Sequence, residues 1–249
     1  MLGAVQAGLL GAGGAFNPLS LSPLLWCDFS DASLLFTDAG STNVSADADA
    51  IYQANDKSGN GFNLVQSTLT KRPLYKTSTQ NGLSSGLFAS VLKSMLIDGI
   101  SNAASDYTFI FAMSPDTLPT AQYDSYFFDT QSGRLILTHN FDTPTEIPKT
   151  QMYDGTWRDF SITPTYDAQV MSFVLSSTAH VYRNGSASLG NAPYTQKAIG
   201  GTTALMSRYS TDIGMWNGSL YEVLIYNSAL SATDRGLVEE WLNNKWSIY

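Results

Sequence analysis

The chain has 249 residues, 43% hydrophobic and 12% aromatic, enough for one large β domain or two small ones with a substantial core. Only 14% is charged, the formal net charge is −8 and the pI is near 4.5. The thirteen basic residues are scattered, which excludes a nucleic-acid groove, and no apolar run is long enough to insert into a membrane.

Residues 1–23 form a first unit. "MLGAVQAGLLGAGGAF" is uncharged, carries five glycines and lacks the basic segment of a secretory leader. That glycine density makes a poor helix. The reading is an N-terminal docking arm that seats Leu2, Leu9, Leu10 and Phe16 on a partner or on a second copy of the chain. Residues 24–249 then read as a single domain, with no composition shift inside it and no internal repeat.

From Leu24 the pattern is short strands separated by Gly, Pro, Asn, Asp and Ser. "LLWCDF", "SLLFTD", "YTFIFAM", "SYFFDT", "RLILTH", "VMSFVL" and "HVYRNG" follow one another, rich in aromatic and β-branched residues. Cys27, the single cysteine, sits in the first of these as a small buried hydrophobe, so no intrachain disulfide or thiolate cage can form. Gly133 in "DTQSGRL" marks one hairpin, and Asn184-Gly185 supplies the positive φ angles of a two-residue hairpin turn. "TPTEIPKT", with Pro144 and Pro148, reads as a long rigid connection. The absence of any βαβ alternation predicts an antiparallel, all-β, two-sheet sandwich.

The chain closes on a strand and one short C-terminal helix. In "GSLYEVLIYN", alternation places Leu220, Glu222, Leu224 and Tyr226 on one face and Tyr221, Val223 and Ile225 on the other. Both faces are mainly apolar, as in a strand covered on both sides. Ser231 with Asp234 is a capping-box variant, and Leu237, Val238, Trp241 and Leu242 form an apolar stripe. Glu239 and Glu240 fall in the polar part of that pattern and read as solvated. Glu222 reads as a carboxylate satisfied by backbone N–H or tyrosine donors.

Two terminal blocks carry a resemblance. "WNGSLYEVLIYNSALSATDRGLVEEWLNNKW" resembles the C-terminal signature of laminin-G-like, concanavalin A-like domains of bacteriophage virion proteins, and "LLWCDFSDASLLFTDAGSTNVSADADAIYQANDKSGNGFNLVQSTLTKRPLY" resembles their N-terminal signature. Residues 76–215 match neither. The resemblance implies a jelly roll whose first and last strands lie close together, in a tail-region or capsid accessory component of the virion, an extracellular particle. It implies no particular ligand. Cys27 departs from the polar or aliphatic residue more usual there.

Three motifs invite sharper chemistry. "DKSGNG", Asp56–Gly61, starts like a Ca²⁺ loop, but position twelve is Ser67 where a bidentate Glu is required. An Asx-stabilised turn fits better, Asp47 and Asp49 do not complete a site, and no cofactor is assigned. Ca²⁺ stays open only because laminin-G-like relatives sometimes bind it. "GLSSG", Gly82–Gly86, matches a nucleophile elbow without the strand-turn-helix context such an elbow needs, and its histidine would have to be His139 or His180, both in strand-like segments. A glycosidase needs two carboxyl groups flanking the bond, and the four glutamates, Glu146, Glu222, Glu239 and Glu240, supply no strand carrying an acidic pair.

For sugar binding, the candidate ligand-contact aromatics are Tyr123 and Trp157, both read as loop residues of the unmatched region; Trp26, Trp216, Trp241 and Trp246 read as fold positions. The expectation is a non-enzymatic, homo-oligomeric virion structural protein, contacting other virion proteins. Its leading form is a tail-associated fibre or adhesin subunit that recognises host surface glycan. The alternatives are a capsid decoration protein cementing the shell and a glycan-depolymerising enzyme.

Overall fold

The structure is a computed structural model, and it describes residues 16–89, 93–97, 99–103, 106–117, 125–140, 149–160, 162–209 and 216–249. Leu2, Leu9, Leu10, Tyr123, Glu146 and most of "TPTEIPKT" lie outside these residues.

In chain order the strands are β1 (Leu25–Asp28), β2 (Leu35–Phe36), β3 (Gln53–Ala54), β4 (Leu64–Val65), β5 (Leu74–Gln80), β6 (Leu83–Phe88), β7 (Met95–Ile97), β8 (Tyr107–Pro115) and β9 (Tyr126–Thr130). They continue as β10 (Ile136–Asn140), β11 (Lys149–Tyr153), β12 (Trp157–Asp159), β13 (Gln169–Leu175), β14 (Thr178–Arg183), β15 (Gly190–Pro193), β16 (Thr203–Leu205) and β17 (Gly218–Tyr226). Among the described residues a single α-helix, α1 (Ala232–Trp246), follows.

These strands make two antiparallel sheets packed as a sandwich. The first runs β15-β14-β13-β8-β17-β6-β5, with β1 also paired to β17; the second runs β12-β11-β10-β9-β16-β7-β4-β3-β2. First and last strands are direct neighbours, Leu25 opposite Ile225 through Asp28 opposite Glu222.

The core between the sheets follows from alternation. Phe109, Phe111, Phe173 and Val223 point inward from the first sheet, and Phe127, Leu137 and Met152 from the second. Phe111 and Phe127 lie 5.8 Å apart between centroids, bridging the layers. His139 points inward too, edge-on to Phe127 at 4.5 Å. Burial, with Arg183 adding to it, pushes its imidazole down to about 3, so it is a neutral core residue. Cys27 is fully buried in the same core.

The strict alternation read for the last strand fails at one point. The pairing of β17 with β8 shifts register between Leu220 and Glu222, so Tyr221 is an extra residue. Tyr221 therefore joins Leu224 and Tyr226 on the outer face, while Leu220 joins Val223 and Ile225 in the core. Beyond the bulge the alternation holds.

Helix α1 covers that outer face. Its N-terminus is capped as expected, Ser231 accepting from the Asp234 N–H at 3.1 Å. Its buried residues are Val238, Leu242 and Trp246, with Arg235 and Glu239; Leu237 and Trp241 are only half-buried. Trp246 stacks on Tyr221 at 4.7 Å, and Trp241 meets Trp26 edge-on at 5.5 Å. Phe16 and Leu21, at the end of the expected arm, pack against this layer.

Glu239 is not solvated. Arg235 donates to both its carboxylate oxygens at 2.6 Å, Ser172 donates to one at 2.7 Å, and the guanidinium lies 3.6 Å from the Tyr182 ring centroid. Helical spacing of four brings the pair together and turns it toward β13. Glu240 is exposed.

"DKSGNG" is an Asx-organised loop. Asp56 accepts from the Ser58 N–H and hydroxyl at 2.9 and 2.7 Å, from the Phe62 N–H at 3.1 Å, and from the Trp26 N–H of β1 at 3.0 Å. Among the described residues no three His, Cys, Asp or Glu side chains are grouped to hold a metal. Asp56→Ala strands these donors and is expected to lower stability by about 2 kcal/mol in urea unfolding.

Candidate functional site

Three elements of the sequence argument resolve into architecture. "GLSSG" is the β5–β6 hairpin: Ser84 accepts from the Tyr75 hydroxyl at 2.9 Å, and a Cβ on Gly86 would lie 2.6 Å from the Phe29 ring, so glycine is there for packing. His139 and His180 lie on β10 and β14.

Glu222 is wholly buried beneath α1 and satisfied, but by donors other than those expected. The Trp26 and Trp246 indoles donate at 2.8 and 3.0 Å, and Lys245 donates to the same carboxylate. Lys245 also reaches Asp28 at 2.8 Å, and Lys57 reaches Asp28 at 2.9 Å. Burial, then repulsion from Asp28, push Glu222 up to about 7 against the pull of Lys245. Burial alone would raise Asp28; Lys245, Ser30 and Lys57 together hold it below the usual carboxylate range. This cluster ties the last turn of α1 to β1 and β17, and has the character of a structural clamp.

The face that binding chemistry can use lies on the opposite side of the molecule, on the outer surface of the second sheet. Alternation on β10, β11 and β12 sends Leu137 and Met152 inward and their neighbours outward. Register then aligns Ile136, Tyr153 and Trp157 in one row across three strands, with Thr138, Gln151 and Asp159 in the next row. Tyr153 and Trp157 contact each other at 5.1 Å with planes inclined by 58°. Tyr126 and Ile136, both 1% exposed, form a floor beside these half-buried rings.

Two arginines close the site. Tyr126, Arg134, Ile136, Tyr153, Trp157 and Arg208 line a cavity of about 360 Å³. Arg134 sits in the β9–β10 turn at φ 47°, directly after Gly133 at φ 74°. A Cβ on Gly133 would lie 2.5 Å from the Ala198 carbonyl, so only glycine admits that close approach. Arg134 Nε donates to buried Asp129 at 3.0 Å, and its guanidinium lies 5.0 Å from the Tyr209 ring. Burial pushes Asp129 up to about 6, opposed by Arg134, the Tyr209 N–H and Arg208. Arg208 follows β16, after Met206 turns the chain at φ 59°.

Trp157 therefore belongs to the site, though as the first residue of an edge strand and not in a loop. Asp154 and Gly155, the latter at φ 104°, form the β11–β12 turn just before it. Arg134, Arg208, Tyr126 and Tyr153 are site residues that sequence reasoning missed. A larger groove of about 500 Å³ elsewhere on the chain is lined, among the described residues, by residues such as Val65, Leu96, Ile100 and Thr202, with no aromatic ring or charge among them. Trp26, Trp216 and Trp246 are buried as expected of fold positions.

No protein-family model and no curated protein sequence matches this chain. Similarity to solved structures is confined to the fold. Domain 4 of AbnA, a GH43 extracellular arabinanase from Geobacillus stearothermophilus solved in complex with arabinotriose, aligns with TM-score 0.59 and 14% identity over 88% of this chain and 98% of that domain. A GH54 α-L-arabinofuranosidase aligns with TM-score 0.65 and 13% identity, over 91% of this chain and 65% of that one. The binding domain of botulinum neurotoxin serotype D/C aligns with TM-score 0.51 and 9% identity over 91% of this chain and 53% of that one. The class is thus a β-sandwich of the jelly-roll kind.

Proposed function

We propose that this chain is a non-enzymatic glycan-binding module of a bacteriophage tail appendage, binding sugar on the outer face of its second sheet. One observation carries the reading: a row of Ile136, Tyr153 and Trp157 across three strands, floored by Tyr126 and flanked by two guanidinium groups, lines a cavity of about 360 Å³. An aromatic face with a few convergent polar groups suits the C–H faces and hydroxyls of a saccharide. The solved domain bound to arabinotriose shares this fold, which makes arabinan a natural probe.

Among the described residues the cavity lining includes no Asp or Glu, and Asp129 behind it is committed to Arg134. A hydrolase that flanks a glycosidic bond with two carboxyl groups does not fit that lining. The virion part of the proposal is supported by the paired terminal signatures, including the adjacency of β1 and β17 that they imply.

The test is retention of the full chain on a panel of neutral and acidic polysaccharides, with released reducing sugar assayed alongside. Binding without release is expected. Failure to bind any member, or release of sugar, overturns the reading. Immunogold electron microscopy of the intact particle locates the protein; label confined to the icosahedral shell would replace the appendage with a capsid decoration role.

A further inference from the structure

We infer that the saccharide taken by this site is anionic, carrying a carboxylate or sulfate that Arg208 holds; this rests on the glycan-binding reading above. The argument starts from what the other arginines do. Arg72 donates to the carbonyls of Gln66 and Thr37, Arg183 to that of Thr163, and Arg134 and Arg235 to Asp129 and Glu239. Arg158 pairs with Asp154 at 3.4 Å, although its Nε makes no hydrogen bond. Arg208 goes further. Its Nε is buried with no hydrogen-bond partner, and among the described residues it makes no hydrogen bond and no ion pair within 4 Å, feeling Asp129 only at longer range.

A guanidinium held in a cavity wall with a donor unsatisfied is costly in the empty protein. That cost is recovered when an acceptor arrives, and the planar fork matches a carboxylate or sulfate better than a lone hydroxyl. Arg134 lines the same cavity, and one carboxylate, Asp129, stands against the two guanidinium groups, so the local field favours an anion. This local field runs against the chain as a whole, whose net charge is −8. An acidic polymer would be repelled from such a surface in general, so a basic cavity selects where it can dock. Beside the arginines, the Tyr153 and Trp157 rings supply the surface on which the sugar ring itself would lie.

The experiment compares polygalacturonate with the same polymer fully methyl-esterified, which removes the charge and keeps the sugar. Polysialic acid, which carries only carboxylates, and dextran sulfate, which carries only sulfates, extend the acidic arm and distinguish the two anions, and arabinan and xylan form the neutral arm. Expected is binding to at least one acidic polymer, at least tenfold weaker for its neutral counterpart, and weakening as NaCl rises from 50 to 500 mM, roughly the range over which surface charge is screened. Arg208→Gln should lower the affinity tenfold or more, and Arg208→Lys should restore part of it through charge without the fork. Because Arg208→Gln could disturb folding, its Tm is measured, and the salt dependence of the unaltered chain stands as an independent reading. Equal or better binding of neutral polymers, insensitive to salt, overturns this inference and leaves the glycan-binding function standing. No binding to any polymer overturns both.

Discussion

Glu222→Ala lowers the unfolding free energy by about 3–5 kcal/mol, the range expected when one partner leaves a buried ion-pair network. For a domain of this size that is a Tm drop of roughly 6–20 °C in calorimetry. The removed carboxylate is the acceptor of two buried indole N–H groups and of the Lys245 ammonium. Alanine leaves the two indole N–H groups facing a cavity that no described acceptor fills, and leaves Lys245 to Asp28 alone. Glu222→Gln keeps an acceptor for an indole but turns an NH₂ toward another donor, so it should cost less than alanine and more than a surface change. A drop under 1 kcal/mol for alanine would mean that the clamp between α1 and β1 is not what holds the helix down.

The same carboxylate sets a pH dependence. Its folded pKa is raised to about 7 from an ordinary 4.5, so between those values the folded chain holds a proton that the unfolded chain has released. Stability therefore falls as pH rises across that window, at up to about 1.4 kcal/mol per unit. Asp28 acts in the opposite sense: its folded pKa is lowered, and its contribution is lost as pH falls below the ordinary carboxylate value of 3.8. Maximum stability from this pair lies near pH 4–5. In Glu222→Gln the decline between 4.5 and 7 should flatten, which urea titrations at several pH values would register.

The frame of this protein was legible because its ends obey local rules. Ser231 and Asp234 announce the helix start, Asp56 announces its turn, and the strands around Phe109 and Phe173 are mainly apolar. Strict alternation failed where a bulge inserts Tyr221, since a period of two carries no sign of an extra residue until the partner strand is known. Solvation of Glu239 was misjudged for a related reason: its pairing with Arg235 could be read at four-residue spacing, but Ser172 and Tyr182 lie more than fifty residues away. Asn184-Gly185 does make a turn with both residues at positive φ, 54° and 68°, yet strand pairing resumes only at Val181 and Gly190, so it heads a longer loop. Strand β5 escaped notice because "LYKTSTQ" is mainly polar, with Thr77, Ser78 and Thr79 exposed.

The site was legible only in one residue. Trp157 drew attention as an aromatic beside a turn, and the Asp154-Gly155 pair before it was a readable hairpin signal that would have put it on a strand. Tyr153 would then have followed as its cross-strand neighbour. Arg134 and Arg208 could not have been chosen from sequence. Seventy-odd residues separate them, and what joins them is β16 pairing with β9, a non-local contact between segments without a shared pattern.

Trp157→Ala should cost about 2 kcal/mol or more of binding free energy, a loss of roughly thirtyfold in affinity for whichever polysaccharide the unaltered chain retains. The reason is geometric. Trp157 is the largest ring among the described residues lining the cavity and stands at the outer strand of the row, so no described residue beyond it can replace its face. Stability should fall by only about 1 kcal/mol, because the residue is half-buried on an edge strand, far from the inter-sheet core. Trp157→Phe keeps a smaller ring in place and should recover most of the affinity. Tyr153→Ala tests the neighbouring ring, and since the two rings touch at 5.1 Å the losses should not add in the double variant. Isothermal titration of the four proteins with one oligosaccharide reads both the single losses and the coupling. Unchanged affinity in Trp157→Ala, with the fold intact, would move the binding surface away from this sheet face altogether.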